Sequence, residues 1–141
     1  MKERTLIIKV SIPAGTDANR ILTARLNADP KTGDQDFIQI PKGKVWVIDD
    51  IYVISSPSID VILYFYKNDE KLMTSTPPVS TLQVNNPARP MVEPFGYEEF
   101  SKMTVLAVNL AKNTGSEAVE VTVYAKVKEY DVEELVAPSP F

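Results

Sequence analysis

The stretch that most constrains the fold lies near the end of the sequence and reads EAVEVTVYAKVKEY, from Glu117 to Tyr130. Every second residue of its middle is apolar, and the residues between them are polar or amphipathic. Strand side chains alternate between faces, so this pattern predicts a long β-strand with one buried and one solvated face. Helical spacing would scatter these residues, most of which are β-branched valines that lose side-chain freedom in a helix. A lone strand is not stable, so the rest of the chain must supply a sheet that covers it.

Alternating or two-sided apolar runs predict further strands along the chain. The first of them ends before Pro13, which cannot donate to a strand ladder. Asn68 and Asp69 predict a two-residue hairpin turn because both tolerate positive φ. Residues 113–116 predict a second turn, which would make a hairpin of the last two strands. The sequence thus predicts about eight strands, at 5–12, 37–40, 45–54, 60–67, 70–76, 79–84, 102–110 and 117–130.

Residues 14–36 are open to two interpretations. Thr16 or Asp17 would serve as the N-cap of a short helix through Ile21 and Leu26. The same run, ILTARL, also fits a short strand, which we prefer. Residues 27–36 (NADPKTGDQD) have the composition of a turn-rich loop.

Short strands separated by Gly, Pro and Asn turns predict an all-β fold, because no helical pattern exceeds two turns. About eight strands suit a jelly roll or a related Greek-key β-sandwich. A chain of 141 residues has the length of one domain. We divide it into an N-terminal strand and irregular arm at 1–36, a β-sandwich core at 37–130 and a C-terminal tail at 131–141.

The composition argues against several classes of function. The chain has no histidine and no cysteine, so a Ser-His-Asp triad, a cysteine nucleophile and a His/Cys zinc site are excluded. We therefore expect a protein that is not an enzyme and has no cofactor. The net charge is −4 and the basic residues are scattered, which disfavours nucleic acid as a partner. No apolar run has the length of a membrane span, and the N-terminus does not resemble a signal peptide, so we expect synthesis in the cytoplasm and no membrane partner.

Two acidic groups are candidates for binding chemistry. Asp49 and Asp50 interrupt an apolar strand, and neighbouring carboxylates share a side of a strand only where a β-bulge inserts a residue. We interpret the pair as a bulge or as protection of a sheet edge; the alternative is a metal or subunit contact. The oxygen-bearing residues of the loop at 27–36 suit calcium, but Lys31 stands where an EF-hand has an oxygen ligand, so we interpret the loop as a solvated turn. The residues concerned are Asn27, Asp29, Gly33, Asp34 and Asp36.

The strands predicted at 45–54, 60–67 and 102–110 are apolar on both faces, although no helices are predicted to cover a second face. Uncovered apolar surface of this kind favours a homo-oligomer with the same interface on each subunit. Aromatics of such strands could alternatively stack on sugar rings, which would make the chain a carbohydrate- or receptor-binding module. The predicted interface residues are Trp46, Tyr52, Tyr64, Tyr66, Phe95, Tyr97, Phe100 and Phe141.

Three segments in order carry a resemblance: IPKGKVWVIDDIYV, DVILYFYKNDEK and KMTVLAVNLAKNTGSEAVEVTVYAKVKEY. From residue 41 to residue 130 the chain resembles, in strand pattern and loop style, the decoration or auxiliary capsid proteins of tailed bacteriophages. No motif is shared, so no functional residue is carried over. The resemblance implies a non-enzymatic homotrimer that binds the major capsid protein on the exterior of the virion and cements neighbouring capsomers.

Overall fold

The computed structural model describes residues 1–28, 32–71, 75–85, 87, 95–96 and 101–135. Regular structure within these residues is nearly all β-strand, apart from a 3-10 turn at Val79–Thr81 and a single helical turn, α1, at Val132–Leu135. The strands are β1 (Lys2–Ile12), β2 (Ile21–Thr23), β3 (Arg25–Asn27), β4 (Ile38–Gln39), β5 (Lys44–Tyr52), β6 (Val61–Lys67), β7 (Glu70–Lys71), β8 (Phe95–Gly96), β9 (Lys102–Asn109) and β10 (Val119–Asp131).

These strands form two antiparallel sheets that pack face to face. Sheet A has the order β3-β1-β10-β5-β8. Sheet B has the order β2-β9-β6-β7, and β4 pairs with the first two residues of β9. Apolar side chains from the inner faces of both sheets join in one core cluster. The predicted all-β sandwich is therefore confirmed.

The alternating stretch near the end of the chain becomes β10, the central strand of sheet A. It pairs with β1 along its first eleven residues and with β5 from Tyr124 to Asp131. Its inward side chains meet the core, and its outward ones are polar or amphipathic, as the alternation predicts. Burial of this apolar face stabilises the fold by about 25 cal/mol per Å² removed from water. The inward residues Val121, Val123, Ala125 and Val127 are each at most 1% exposed.

The predicted C-terminal hairpin is wrong, because β9 lies in sheet B and β10 lies in sheet A. Each strand buries one apolar face, and the two faces are satisfied by facing each other across the core. Residues 110–118 therefore cross from one sheet to the other, a longer connection than a tight hairpin turn needs.

Buried asparagines hold this crossing connection to the loop that follows β1. The side-chain amide of Asn113 donates to the carbonyl oxygens of Ile12 and Glu117, both at 2.9 Å, and its Oδ1 accepts from the backbone N–H of Gly115 at 3.0 Å. Asn109, the last residue of β9, acts in the same way: its amide donates to the carbonyl oxygens of Asp17 and Ala111, and its Oδ1 accepts the N–H of Arg20. Both side chains are buried and satisfy backbone groups that the loops leave unpaired.

The run ILTARL forms strand, as preferred from the sequence, but it bends at Ala24 into two short strands, β2 and β3. β2 pairs with β9 in sheet B, whereas β3 pairs with β1 in sheet A. Between them, the fully buried Ala24 still donates its N–H to Val105 O at 3.0 Å. One short segment thus links the two sheets at one side of the sandwich.

Other turn predictions have mixed outcomes. The hairpin turn at Asn68 and Asp69 is confirmed by their φ angles of 49° and 67°. The strand predicted at 79–84 is wrong: the chain makes a 3-10 turn there, and Gln83 forms only an isolated bridge to Val53. The side chain of Asp60 accepts the N–H of Ser80 at 3.0 Å and so stabilises the turn instead of a strand ladder.

We predict that Asn113→Ala lowers the free energy of unfolding by about 1–3 kcal/mol, because it leaves buried backbone groups without partners. Thermal or urea unfolding followed by circular dichroism measures the change. The exposed Asn85 provides a matched control, and Asn85→Ala is expected to change stability by less than about 0.5 kcal/mol. Equal effects of the two substitutions would contradict the proposed role of Asn113.

Candidate functional site

Trp46 lies in the core instead of at a surface. It is 3% exposed, and its indole N–H donates to Glu129 Oε1 at 2.9 Å. The guanidinium of Arg4 lies 5.7 Å from the ring centroid and its Nε is 3.4 Å from the same carboxylate oxygen. The tryptophan therefore packs with a largely buried ion pair of sheet A and contributes little to the surface of the single chain.

The remaining predicted interface residues do not form one surface. Tyr52 lies on the outer face of sheet A, where its ring stacks on Tyr124 with centroids 5.8 Å apart and an interplanar angle of 19°. Tyr64 and Tyr66 lie on the outer face of sheet B, on the opposite side of the molecule. Phe95 belongs to β8, whose backbone extends sheet A beside β5. The predictions for Tyr97, Phe100 and Phe141 lie outside the described residues.

The outer face of sheet B carries an apolar surface that we call the tyrosine patch. Cross-strand register places Tyr64 of β6 opposite Leu106 of β9, and Val108 between Ile62 and Ile21. Ile21 is 70% exposed, and the others are half-buried at the surface. Contiguous apolar surface on an outer sheet face is typical of an interaction site. The patch consists of Ile21, Ile62, Tyr64, Tyr66, Leu106 and Val108.

Charged residues border the tyrosine patch. The ammonium of Lys71 lies 4.4 Å from the ring centroid of Tyr64, and both line a shallow hollow of about 200 Å³ on the patch. At the far end of β9, Lys102 lies 5.3 Å from the ring of the exposed Phe37 and 3.9 Å from Asp69. The patch is therefore an apolar centre with a charged rim, the usual anatomy of a protein interface.

The outer face of sheet A carries more charged side chains than that of sheet B, beside the stacked rings of Tyr52 and Tyr124. Along β10 it presents Lys126 and Lys128, and Lys128 makes an ion pair of 3.3 Å with Asp49. The hydrogen bond from Lys128 to this carboxylate raises the pKa of the lysine above its ordinary value. This face resembles an ordinary solvated surface.

Asp49 and Asp50 form the β-bulge that the sequence predicts. Lys126 pairs with Asp50 and Val127 pairs with Ile48, so Asp49 is the extra residue. The insertion also changes the face assignment of the strand. Ile51 and Val53 turn inward together with Trp46 and Ile48, whereas strict alternation would have placed these pairs on opposite faces.

The candidate calcium ligands are held by basic and amide side chains. The ammonium of Lys9 donates to both carboxylate oxygens of Asp34, at 3.2 and 3.3 Å, and the amide of Asn27 donates at 3.2 Å. These hydrogen bonds hold the pKa of the Asp34 carboxyl below its ordinary value, and the one from Lys9 has the largest effect. Arg25 lies 3.7 Å from Asp36. Asp29 lies outside the described residues, and among those described no three acidic side chains group as a metal site.

A cleft of about 490 Å³ lies beside β10, and the sequence interpretation missed it. Its walls are the loop at 54–58, with three serines, and the outward residues Glu120, Thr122 and Tyr124. We call it the serine cleft. The run SSPS reads simply as a turn in the sequence, and only the register of β5 against β10 places the two walls opposite each other.

Comparison with known proteins adds no family. No protein-family model matches the chain, and no curated protein matches its sequence significantly. None of the helical residues in the described ranges forms a segment long and apolar enough to cross a membrane.

We predict that Arg4→Met lowers the free energy of unfolding by about 1–3 kcal/mol, because it leaves the buried Glu129 carboxylate without its cation. The effect stays below that of a fully buried pair because the Arg4 side chain is 27% exposed. Fluorescence of Trp46, the single tryptophan, reports the transition directly.

The matched control is Arg25→Met, which removes an exposed ion pair with Asp36. Its expected effect is about 0–1 kcal/mol. A wild-type unfolding midpoint in Arg4→Met would show that the buried pair contributes nothing to stability.

Proposed function

We propose that the chain is a non-enzymatic structural protein that acts as a homotrimer and decorates the exterior of a bacteriophage capsid, where it binds the major capsid protein and cements the lattice. Two steps support this proposal: the inference of self-association from the outer faces, and the inference of a capsid role from the resemblance in strand pattern.

The contrast between the two outer faces is the observation that carries self-association. The outer face of sheet A mixes charged residues such as Lys126 and Lys128 with the stacked pair Tyr52 and Tyr124. The outer face of sheet B instead carries the contiguous apolar side chains of the tyrosine patch along β6 and β9. Outer faces of a sandwich in water are ordinarily polar, so an apolar one is stabilised when a partner covers it. Removal of such a face from water favours association, against the translational and rotational entropy that association costs.

A second and third copy of the chain are the partners that best fit the patch. Its rim bears both signs of charge, Lys71 and Lys102 beside Asp69, so a symmetric assembly can bring opposite charges together. Three copies arranged around an axis would bury the apolar centres against one another. The charged outer faces of sheet A would remain in water.

The capsid role rests on the all-β sandwich together with the resemblance of residues 41–130 to decoration proteins. Such a role needs a folded module with a surface that another protein can cover, and the tyrosine patch is our candidate for that surface. The alternative is a carbohydrate- or receptor-binding module, favoured by Tyr64 and Tyr66, which project from one strand on the same face.

We predict a solution mass of about three times the 15.7 kDa of one chain, measured by sedimentation or light scattering at micromolar concentration. Tyr64→Glu should shift the mass toward one chain, because it places a charge at the centre of the patch. Tyr130→Glu makes the same change on the outer face of sheet A and should leave the mass unchanged.

Circular dichroism of each variant confirms that the sandwich is intact. A monomeric wild type would contradict self-association. A Tyr64→Glu variant that keeps the wild-type mass would place the interface elsewhere.

We also predict that the wild-type chain sediments with tailed-bacteriophage capsids stripped of their own decoration protein and raises the temperature at which they disrupt. A panel of such capsids, with bovine serum albumin in place of the chain as control, provides the measurement. Failure to bind any capsid, together with saturable binding of a glycan on the tyrosine patch, would favour the alternative function.

A further inference from the structure

The serine cleft exists because β10 extends beyond the last residue of β5, with which it pairs in the antiparallel direction. The last pair between these strands is Tyr52 with Tyr124. β10 continues to Val119 with β1 on its other side, so its β5-side edge from 119 to 123 has no strand partner among the described residues. The chain after β5 then turns away and forms the opposite wall.

This opposite wall is held at both of its ends. At one end, Val53 is fully buried and donates its N–H to Leu82 O at 2.9 Å. At the other end, Ile59 is buried in the core cluster, and Asp60 accepts the N–H groups of Val61 and Ser80, each at 3.0 Å. A cleft of this size, about 490 Å³, falls within the range of small-molecule sites, about 300–1,000 Å³.

The lining combines an aromatic ring with many hydroxyl groups. Tyr124 forms part of the lining, and the ring of Tyr52 is stacked against it, which holds its plane in place. Hydroxyls donate and accept hydrogen bonds, and a carboxylate accepts two or more, so together they match vicinal hydroxyl groups of a ligand. Ring carbons of a sugar have an apolar C–H face that packs on an aromatic ring. The polar groups are Ser55, Ser56, Ser58, Glu120 and Thr122.

The charge of the cleft selects among polar ligands. Among the described residues that line it there is no lysine or arginine, and Glu120 is acidic. Lys9, which pairs with Thr122 across the strands, has its ammonium held by Asp34. Anionic ligands such as phosphates or acidic sugars would meet a carboxylate without a compensating cation, so the cleft favours a neutral ligand.

We propose that the serine cleft is a binding site for a neutral carbohydrate. One pyranose ring stacks on Tyr124, and its hydroxyl groups bond to Glu120, Thr122 and the serines of the loop. The site is separate from the tyrosine patch, since it lies on sheet A, and it does not depend on the proposed function. A homotrimer joined through sheet B would carry three such clefts, which would raise the avidity for a repeating glycan.

The test uses neutral hexasaccharides of glucose and of N-acetylglucosamine as probes, with the full chain and with chemical-shift changes in NMR as the readout. Binding is expected to shift the signals of Tyr124, Thr122 and the 54–58 loop. Tyr124→Ala should weaken it by about tenfold or more through loss of the stacking surface. Tyr124→Phe should retain most of the affinity because it keeps the ring, and Glu120→Gln should weaken binding less than Tyr124→Ala.

Tyr130→Ala, on the same strand and face but outside the cleft, is the matched control and should bind as wild type. No shift with either hexasaccharide at about 10 mM, a ligand concentration that detects very weak sites, would overturn the proposal. Wild-type affinity in Tyr124→Ala would also overturn the proposal. So would loss of binding in Tyr64→Ala, because that residue lies in the tyrosine patch and not in the cleft. Binding of an extended peptide along the open edge of β10, with none of the hexasaccharides, would assign the cleft to strand addition and overturn the proposal too.

Sedimentation of the same samples separates this result from the proposed function. A trimer that binds no hexasaccharide would overturn the cleft proposal alone, and a monomer that binds one would overturn self-association alone.

Discussion

The burial of one face of β10 against the opposite sheet is the interaction on which the rest of the structure depends. β10 is the central strand of sheet A, and its inward valines pack with side chains of β6 and β9 such as Phe65 and Val105. Because a one-residue slip would turn every one of these valines toward water, this burial also fixes the register of β1 and β5. The outer faces, the bulge and the serine cleft all follow from that register.

The sequence predicted what depends on local pattern, and it failed where partners in space decide. The alternation of β10, the Asn68–Asp69 turn and the bulge at Asp49–Asp50 are local features, and each is found. The pairing of β9 with β10 is absent because a turn signal cannot tell a hairpin from a crossing between sheets. The sequence did not indicate that Asn113 is buried and stabilises the connection at residues 110–118, because a polar residue in a turn-rich run is ordinarily exposed.

The candidate sites show the same division. Aromatic residues in strands 45–54 and 60–67 were visible in the sequence, but their faces were not, because the bulge reverses the alternation after Ile48. Trp46, before the bulge, faces the core and donates to Glu129, whereas Tyr52, after the bulge, faces outward. Tyr64 lies on the other sheet. The walls of the serine cleft are about sixty residues apart in the chain, so no local pattern joins them.

The two outer faces of the sandwich have different physical properties, and this difference organises its surface. An apolar face with a mixed-charge rim gains free energy when it is covered by another protein surface, whereas a polar cleft with a fixed aromatic ring gains it from a ligand rich in hydroxyl groups. The tyrosine patch and the serine cleft lie on opposite sheets, so occupation of one does not block the other. One sandwich can thus associate through sheet B and keep the cleft on sheet A open to solvent.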